Sequence, residues 1–326
     1  MYLVTGGAGF IGSNITAALV ERGERVVVCD ALGSDDKWLN IAKLALDDII
    51  APGDLGAWLS GRRGLKGLIH MGAISATTET DMDLLVRNNL RLTQAIWRWC
   101  SDSRVPLVYA SSAATYGDGE SGFDDDPSPE ALAKLRPLNG YGWSKHLFDR
   151  WAENEIAQGR ARPPQWAGLK FFNVYGPNEY HKGGMRSVAH AFFEQLQEAD
   201  SVRLFKSHRA GIADGEQMRD FVYVGDCVKV VLWLLETYGV SGLFNIGTGR
   251  AESFNEMARS VFAALNRVPK IEYVPTPEAI RERYQYFTEA KMERLRAAGY
   301  ERPFLSVRDG VHRYLHDHLL QEDRYR

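Results

Sequence analysis

Cysteine is scarce in this chain, and so is any long apolar run. Three cysteines among 326 residues, Cys29, Cys100 and Cys227, are an odd set with no short paired spacing. That pattern argues against a disulfide framework and against a zinc knuckle; all three read as core thiols and no metal is expected. No hydrophobic stretch approaches the roughly 20 residues that span a bilayer, so no membrane partner is expected. Excess charge is lacking as well: 39 Lys plus Arg against 42 Asp plus Glu leave a formal net charge of -3. So small an imbalance provides no broad cationic surface, and nucleic-acid binding is not expected. The first residues run straight into an apolar strand and a turn, without the signature of a targeting leader. The expectation is a cytoplasmic protein acting on a small molecule. Internal repeats and low-complexity tracts are missing too, while 45% hydrophobic residues supply the core of one large or two closely joined domains.

What is present is an alternation. Tyr2 to Thr5, Arg25 to Asp30, Gly67 to His70 and Pro106 to Ala110 are short apolar runs of the kind found in buried parallel strands. Between them, Ile11 to Arg22 and Asp81 to Cys100 carry apolar residues at helical spacing; in the second, Leu84, Leu85, Leu92 and Ile96 are expected to face inward. The pattern predicts an α/β fold with a Rossmann-like doubly wound parallel sheet. Gly117 to Leu138 has no periodicity and reads as a surface loop whose acids Asp124, Asp125 and Asp126 are solvated. A helix from about Tyr141 to Gln158 and a strand around Leu169 to Phe172 extend the sheet, and then the alternation loosens. Residues 1–172 are therefore read as a dinucleotide-binding domain to which 220–248 return. Residues 173–326 are read as mainly a smaller, interwoven substrate-binding domain, ending in a helix near Ser306 to Leu319.

The segment Thr5-Gly6-Gly7-Ala8-Gly9-Phe10-Ile11-Gly12 follows the first strand and opens the first helix. Gly6, Gly9 and Gly12 let the backbone turn tightly and approach a pyrophosphate, and the helix N-terminus offers free amides and the positive end of its dipole. Asp30, ending the second strand, stands where a carboxylate meets the adenosine ribose hydroxyls, which favours NAD. Lys37 in the following loop is placed to neutralise the 2′-phosphate of NADP, or is a solvated loop lysine. The residues themselves leave NAD and NADP open. Met71, Gly72 and Ala73 pass under the cofactor at the carboxyl edge of the sheet, with His70 before them read as a packed strand residue rather than a catalyst.

Tyr141 and Lys145 lie four positions apart on one helix face. A tyrosine with a reference pKa of about 10 must lose roughly three units, worth about 4 kcal/mol, to act as a base near neutrality; a neighbouring lysine cation and an oxidised nicotinamide favour the phenolate. Ser112, after the strand at Pro106 to Ala110, is placed to hydrogen-bond the reacting hydroxyl beside Tyr141. Arg219 precedes the apolar run Phe221 to Val224, and its fork suits a pyrophosphate or a surface ion pair.

With its glycine turn, ribose acid, strand-end serine and Tyr/Lys pair, the chain resembles the extended short-chain dehydrogenase/reductase family over essentially its whole length. Members oxidise or epimerise nucleotide sugars. A 4,6-dehydratase would need an acidic pair where Ala113 and Ala114 stand, so dehydration is not expected. A narrower resemblance is to the ADP-glyceromanno-heptose 6-epimerases of lipopolysaccharide core biosynthesis. It is carried by His70 to Asp81, Tyr109 to Gly117, Phe171 to Met185, Met218 to Asp226, Phe244 to Phe254 and Arg283 to Thr288, and most specifically by the HKGGM stretch, His181 to Met185.

That resemblance implies Tyr141 and Lys182 as the two acid/base groups of an isomerase and Lys145 as a cofactor ligand. It places Asn173, Gly184, Phe205, Lys206, Ser207, His208, Arg219 and Tyr284 on an ADP-heptose substrate. On the cofactor, NADP in that family, it places Phe10, Ile11, Asp30, Ala31, Lys37, Met71, Gly72, Ala73, Ile74, Ser75, Asn88 and Val174. A homo-oligomer is expected. Two groups are useful because hydride leaves and returns on opposite faces of carbon six, so the oxygen meets a different residue each time. From spacing alone Lys182 reads as a phosphate-binding or solvent lysine. Departures from the family pattern are Pro52 in place of a second lysine toward the cofactor phosphate, Gly184 for a serine, Ala191 for a histidine with His190 one position off, and a longer His208 to Gln217 loop. The alternatives are another nucleotide-sugar epimerase or reductase, or a dinucleotide sensor without catalysis.

Overall fold

The computed structural model describes residues 1–281 and 284–326; Arg283, which opens the last of the family segments, lies outside the described residues. The apolar runs form β1 (Tyr2–Thr5), β2 (Val26–Cys29), β4 (Gly67–His70), β5 (Leu107–Ser112) and β6 (Trp166–Phe171), with β3 (Asp48–Ile50) at one edge and Gly242–Ile246 at the other. These seven strands make one sheet in the order β3, β2, β1, β4, β5, β6 and Gly242–Ile246, every neighbouring pair parallel. The strand order reverses between β1 and β4, and such a switch point opens a crevice beyond the carboxyl ends of the strands. Helix Phe10–Glu21 packs beside Val224–Glu236, and helix Gly140–Ala157 beside the 86–91 segment. Strands buried on both faces need unbroken apolar runs rather than alternation, and β2 is Val-Val-Val-Cys, wholly buried.

The long helix differs from its sequence reading in one respect. Between Met82–Leu85 and Leu92–Ser103 the backbone makes a π-turn over Val86–Arg91. The wider turn rotates the following side chains relative to a 3.6-residue repeat, so Leu84 and Leu92 are only half-buried while Leu85, Asn89, Leu90 and Ile96 are buried. The turn aims Asn89 inward. Its amide donates to the Ile74 carbonyl at 2.9 Å and to Ser144 Oγ at 3.0 Å, and its oxygen accepts from the Ile74 amide at 2.9 Å.

The acids of Gly117 to Leu138 are not all solvated, which corrects the sequence reading. Asp125 is 1% exposed and accepts from the Asn245 amide at 2.7 Å. Burial pushes its carboxyl up to about 6. The cause is Phe123, which packs edge-on against Tyr116 and Phe172 and draws the loop onto the sheet. The three cysteines are free and buried, as core thiols should be.

Beyond the sheet, Asn173–Tyr175 pairs with Phe221–Tyr223, Val202–Phe205 with Ile271–Val274, and Met218–Arg219 with Glu252–Ser253. A second core, including Phe192, Leu204, Phe221, Val261 and Tyr314, lies under them. The closing helix Val307–Tyr314 runs into a π-turn at Leu315–Leu319. Among the described residues there is no His, Cys, Asp and Glu cluster that could hold a metal, and no helix long and apolar enough to cross a membrane.

Candidate active site

The crevice at the switch point is a cavity of about 480 Å³. Its floor is the glycine turn. Gly6 has φ +65°, and a Cβ there would sit 2.5 Å from the Gly72 amide nitrogen; a Cβ on Gly12 would lie 2.0 Å from the Gly6 carbonyl oxygen. The turn, β4's end and the first helix therefore pack backbone to backbone; the Gly9 amide donates to the Gly6 carbonyl at 3.0 Å, and the first-turn amides after it are the ones offered to a ligand phosphate. Asp30 Oδ2 accepts from the Ala8 amide at 2.9 Å, while Lys37 Nζ lies 2.6 Å from Asp30 Oδ1 and donates to the Ala31 carbonyl at 3.0 Å. A cradle that only glycine fits, ending in a carboxylate and an ammonium, matches a dinucleotide. Gly12→Ala should weaken nicotinamide-dinucleotide binding at least tenfold, read by fluorescence titration; unchanged affinity would contradict the cradle.

Of the residues expected on the cofactor, Gly6, Gly9, Phe10, Ile11, Gly12, Asp30, Lys37, Met71, Gly72, Ala73, Ser75, Lys145 and Val174 line the cavity. Ala31 and Ile74 do not; Ala31 accepts from Lys37, which does, whereas Ile74 is paired with Asn89 behind the cavity wall. Asn88 donates to the Leu84 carbonyl of its own helix at 2.9 Å, and its neighbour Asn89 holds the Met71 to Ser75 segment instead. His70 is 1% exposed and bridges Thr5 Oγ1 (2.6 Å) and Thr93 Oγ1 (3.0 Å). Burial lowers its pKa to about 3, so it is a neutral packed strand residue.

Ser112, Tyr141, Lys145, Asn173 and Lys182 line the same cavity. The Asn139 side chain caps helix Gly140–Ala157, accepting from the Gly142 amide at 2.8 Å, which sets Tyr141 in the first turn. Burial raises the Tyr141 pKa, against which hydrogen bonding from Ser112 lowers it and the Asp149 carboxylate raises it further. Depression by Lys145, expected from the spacing, is not among the effects on Tyr141. Instead the Lys145 ammonium donates to the Ala110 carbonyl at 2.8 Å, and burial brings its own pKa down to about 8. Burial thus favours the neutral phenol of Tyr141. Lys182 has its pKa lowered by burial and raised by Glu179, with its ammonium 5.3 Å from the centre of the Phe10 ring. Gly183 after it has φ +53° and ψ -129°, a backbone setting that favours glycine.

A second cavity, of about 340 Å³, holds Phe205, Arg219 and Tyr284, and shares Val188 and Phe254 with the first. Arg219 is no surface residue: it is 8% exposed, donates to the Met218 and Gln285 carbonyls at 2.8 and 2.5 Å, and lies over the rings of Phe254 and Tyr284. No carboxylate among the described residues is within ion-pair reach of it. Gly184, Lys206, Ser207 and His208 line neither cavity. The Ser207 hydroxyl donates to the Arg209 carbonyl of its own loop, and the exposed His208 is tied down through its amide, which donates to the Tyr286 hydroxyl.

Sequence reasoning missed Thr77, His181, Arg186 and Ser187, which also line the first cavity. One signal was available: Ser187 precedes an amphipathic run and caps Val188–Glu198. Its amide and hydroxyl both donate to Glu179, so the turn carrying Lys182 is clamped at both ends.

Residues 2–247 match the family model described as NAD dependent epimerase/dehydratase family. A Fusobacterium nucleatum protein named ADP-L-glycero-D-manno-heptose-6-epimerase is 46% identical, with 100% of each chain covered. The Helicobacter pylori protein of that name has a crystal structure that superposes with a TM-score of 0.77 at 27% identity, covering 97% of this chain and 95% of that one. Thermus thermophilus UDP-glucose 4-epimerase, solved as a complex with NAD, gives 0.71 at 25% identity, covering 97% of both chains. The matched segment runs from β1 through Gly242–Ile246 and so includes the whole sheet, the glycine turn and Tyr141 with Lys145: this chain belongs to the NAD dependent epimerase/dehydratase family.

Proposed function

We propose that the enzyme is an isomerase that inverts carbon six of ADP-D-glycero-D-manno-heptose, giving the L-glycero epimer by transient oxidation and re-reduction. The observation that carries this reading is that two proton-transfer groups from separate elements, Tyr141 and Lys182, face one cavity floored by the glycine turn. When bound, the nicotinamide dinucleotide supplies hydride acceptance and return at the carbinol carbon. Tyr141 exchanges the hydroxyl proton in one orientation of the carbon-six oxygen, with Ser112 donating beside it. Lys182, whose burial favours the uncharged amine, exchanges it in the other. Lys145 and Val174 hold the cofactor, and Asn173 orients the sugar. Arg219, with Phe205 and Tyr284, takes the ADP portion in the adjoining cavity, where a guanidinium without a carboxylate partner suits phosphate oxygens. Segments 173–219 and 249–326 form the substrate-binding part, over the sheet of 1–172 and 220–248.

The cofactor is NADP on this reading, because Lys37 already neutralises Asp30 and its ammonium stands at the ribose end. Lys37→Ala should weaken NADP binding about tenfold and NAD binding far less; equal losses would favour NAD. With the Lys145 pKa at about 8, kcat should fall as pH rises through 8, because on this reading Lys145 acts as a cation that favours the phenolate once the oxidised nicotinamide is bound. A flat profile to pH 10 would contradict that role. The enzyme is further read as cytoplasmic and homo-oligomeric, the latter checked by light scattering. The direct test is incubation with ADP-D-glycero-D-manno-heptose in deuterium oxide, with carbon-six stereochemistry followed by NMR. Epimerisation without deuterium at carbon six is the expected result. No turnover, or turnover of UDP-hexoses alone, overturns the assignment.

A further inference from the structure

Directly behind the catalytic cavity lies a buried ion pair that the chemistry above does not use. Lys170 on β6 is 1% exposed and Asp149 on helix Gly140–Ala157 is 0% exposed, with Lys170 Nζ 3.0 Å from Asp149 Oδ2. Two charges without water stay buried only when hydrogen bonds complete their surroundings, and here those bonds run toward the cavity. Asp149 accepts from the Ser111 hydroxyl at 2.7 Å and from the Tyr109 hydroxyl at 3.1 Å. Lys170 donates to Thr115 Oγ1 at 2.8 Å, and Thr115 in turn donates to the Ser112 carbonyl at 2.8 Å. Ser112 is thus held on both sides, through Ser111 by one member of the pair and through Thr115 by the other. Asp149 also lies one helical turn beyond Lys145, on the same face.

We infer that Asp149 and Lys170 are positioning residues for the reaction: together they fix the Ser112 backbone, and Asp149 supplies the buried negative charge that faces the Lys145 ammonium. The inference rests on the acid/base reading of Tyr141 and Lys145 given above. The groups around Lys145 are few. Its own helix offers Tyr141 and Asp149, β4 offers the neutral His70, β5 the Ala110 carbonyl, and β6 Lys170. Of the charged groups among these only Asp149 favours the lysine cation. Lys170 disfavours the charged form of His146 but exerts no comparable effect on Lys145, so the two members of the pair are separable by experiment.

Asp149→Asn should lower kcat about tenfold or more and move the alkaline limb of its pH profile down by about one unit, the loss of Ser112 positioning and of the Lys145 cation outweighing the removal of a charge that raises the Tyr141 pKa. Asp149→Glu, which keeps the charge, should keep the wild-type limb. Because removing one buried charge strands the other, the double variant Asp149→Asn with Lys170→Met is the structural control: it should recover the thermal midpoint but retain the shifted limb. Cofactor affinity by fluorescence titration provides a readout independent of turnover and should stay within about threefold in the double variant. A double variant with both the wild-type rate and the wild-type pH profile would reduce the pair to a structural role and overturn the inference. So would an unshifted limb in Asp149→Asn. If Tyr141→Phe is inactive while these profiles stay put, the inference alone fails; if Tyr141→Phe is active, the acid/base reading beneath it fails.

Discussion

Tyr141→Phe should lose about a thousandfold in kcat while binding the nicotinamide dinucleotide within about twofold of wild type. The substitution removes one oxygen and keeps the ring, so the half-buried side chain still fills the wall between Ser112 and Lys145. The helix start is unaffected, since it depends on Asn139 capping the Gly142 amide. The phosphate and ribose end of the cofactor rests on the glycine turn, Asp30 and Lys37, and Lys145 keeps its place through the Ala110 carbonyl, so none of these depends on the phenol oxygen. What disappears is the hydroxyl that Ser112 steadies in the cavity, and a thousandfold corresponds to about 4 kcal/mol of transition-state stabilisation. Turnover above a tenth of wild type would mean another group moves the proton.

The sheet was legible because its strands are buried on both faces. A run such as Val26 to Cys29 must be apolar throughout, and a Gly-rich turn between a strand and an amphipathic helix leaves few alternatives. Edge strand Asp48–Ile50 escaped because it is three residues long with Asp48 and Ile49 exposed, so it lacks the apolar run that marked the others. The π-turn at Val86–Arg91 escaped for a different reason: hydrophobic periodicity assumes 3.6 residues per turn, and one wider turn moves the inward polar position from Asn88 to Asn89. Tyr141 and Lys145 were legible together because they share a helix, whereas their electrostatics were not. Spacing says that a lysine is near a tyrosine, but burial, visible only in three dimensions, raises the phenol and sends the ammonium to Ala110. Arg219 and the second cavity show the same limit. Its walls come from positions as distant as Val188, Phe205, Phe254 and Tyr284, and no local pattern in the chain connects them.

Lys182→Met should abolish epimerisation, by about a thousandfold, and Lys182→Arg should be as inactive as Met. The second comparison carries the argument. If Lys182 only attracted a phosphate or steadied a charge, arginine would serve, because its guanidinium keeps the cation and adds donors. A group that gives and takes a proton must reach its neutral form, and arginine does not do so at working pH. The surroundings of Lys182 favour the neutral form: burial lowers its pKa against the pull of Glu179, and its ammonium faces the Phe10 ring rather than an ion-pair partner. Gly183 at φ +53° and the Ser187–Glu179 clamp hold its turn independently of the side chain, so both variants should keep the wild-type thermal midpoint. Since inversion needs a proton moved in each of two orientations, either single loss stops it. Combining Tyr141→Phe with Lys182→Met should then cost little more than one alone. An arginine variant with substantial turnover, or fully additive losses in the double variant, would remove Lys182 from the chemistry and leave it a binding role.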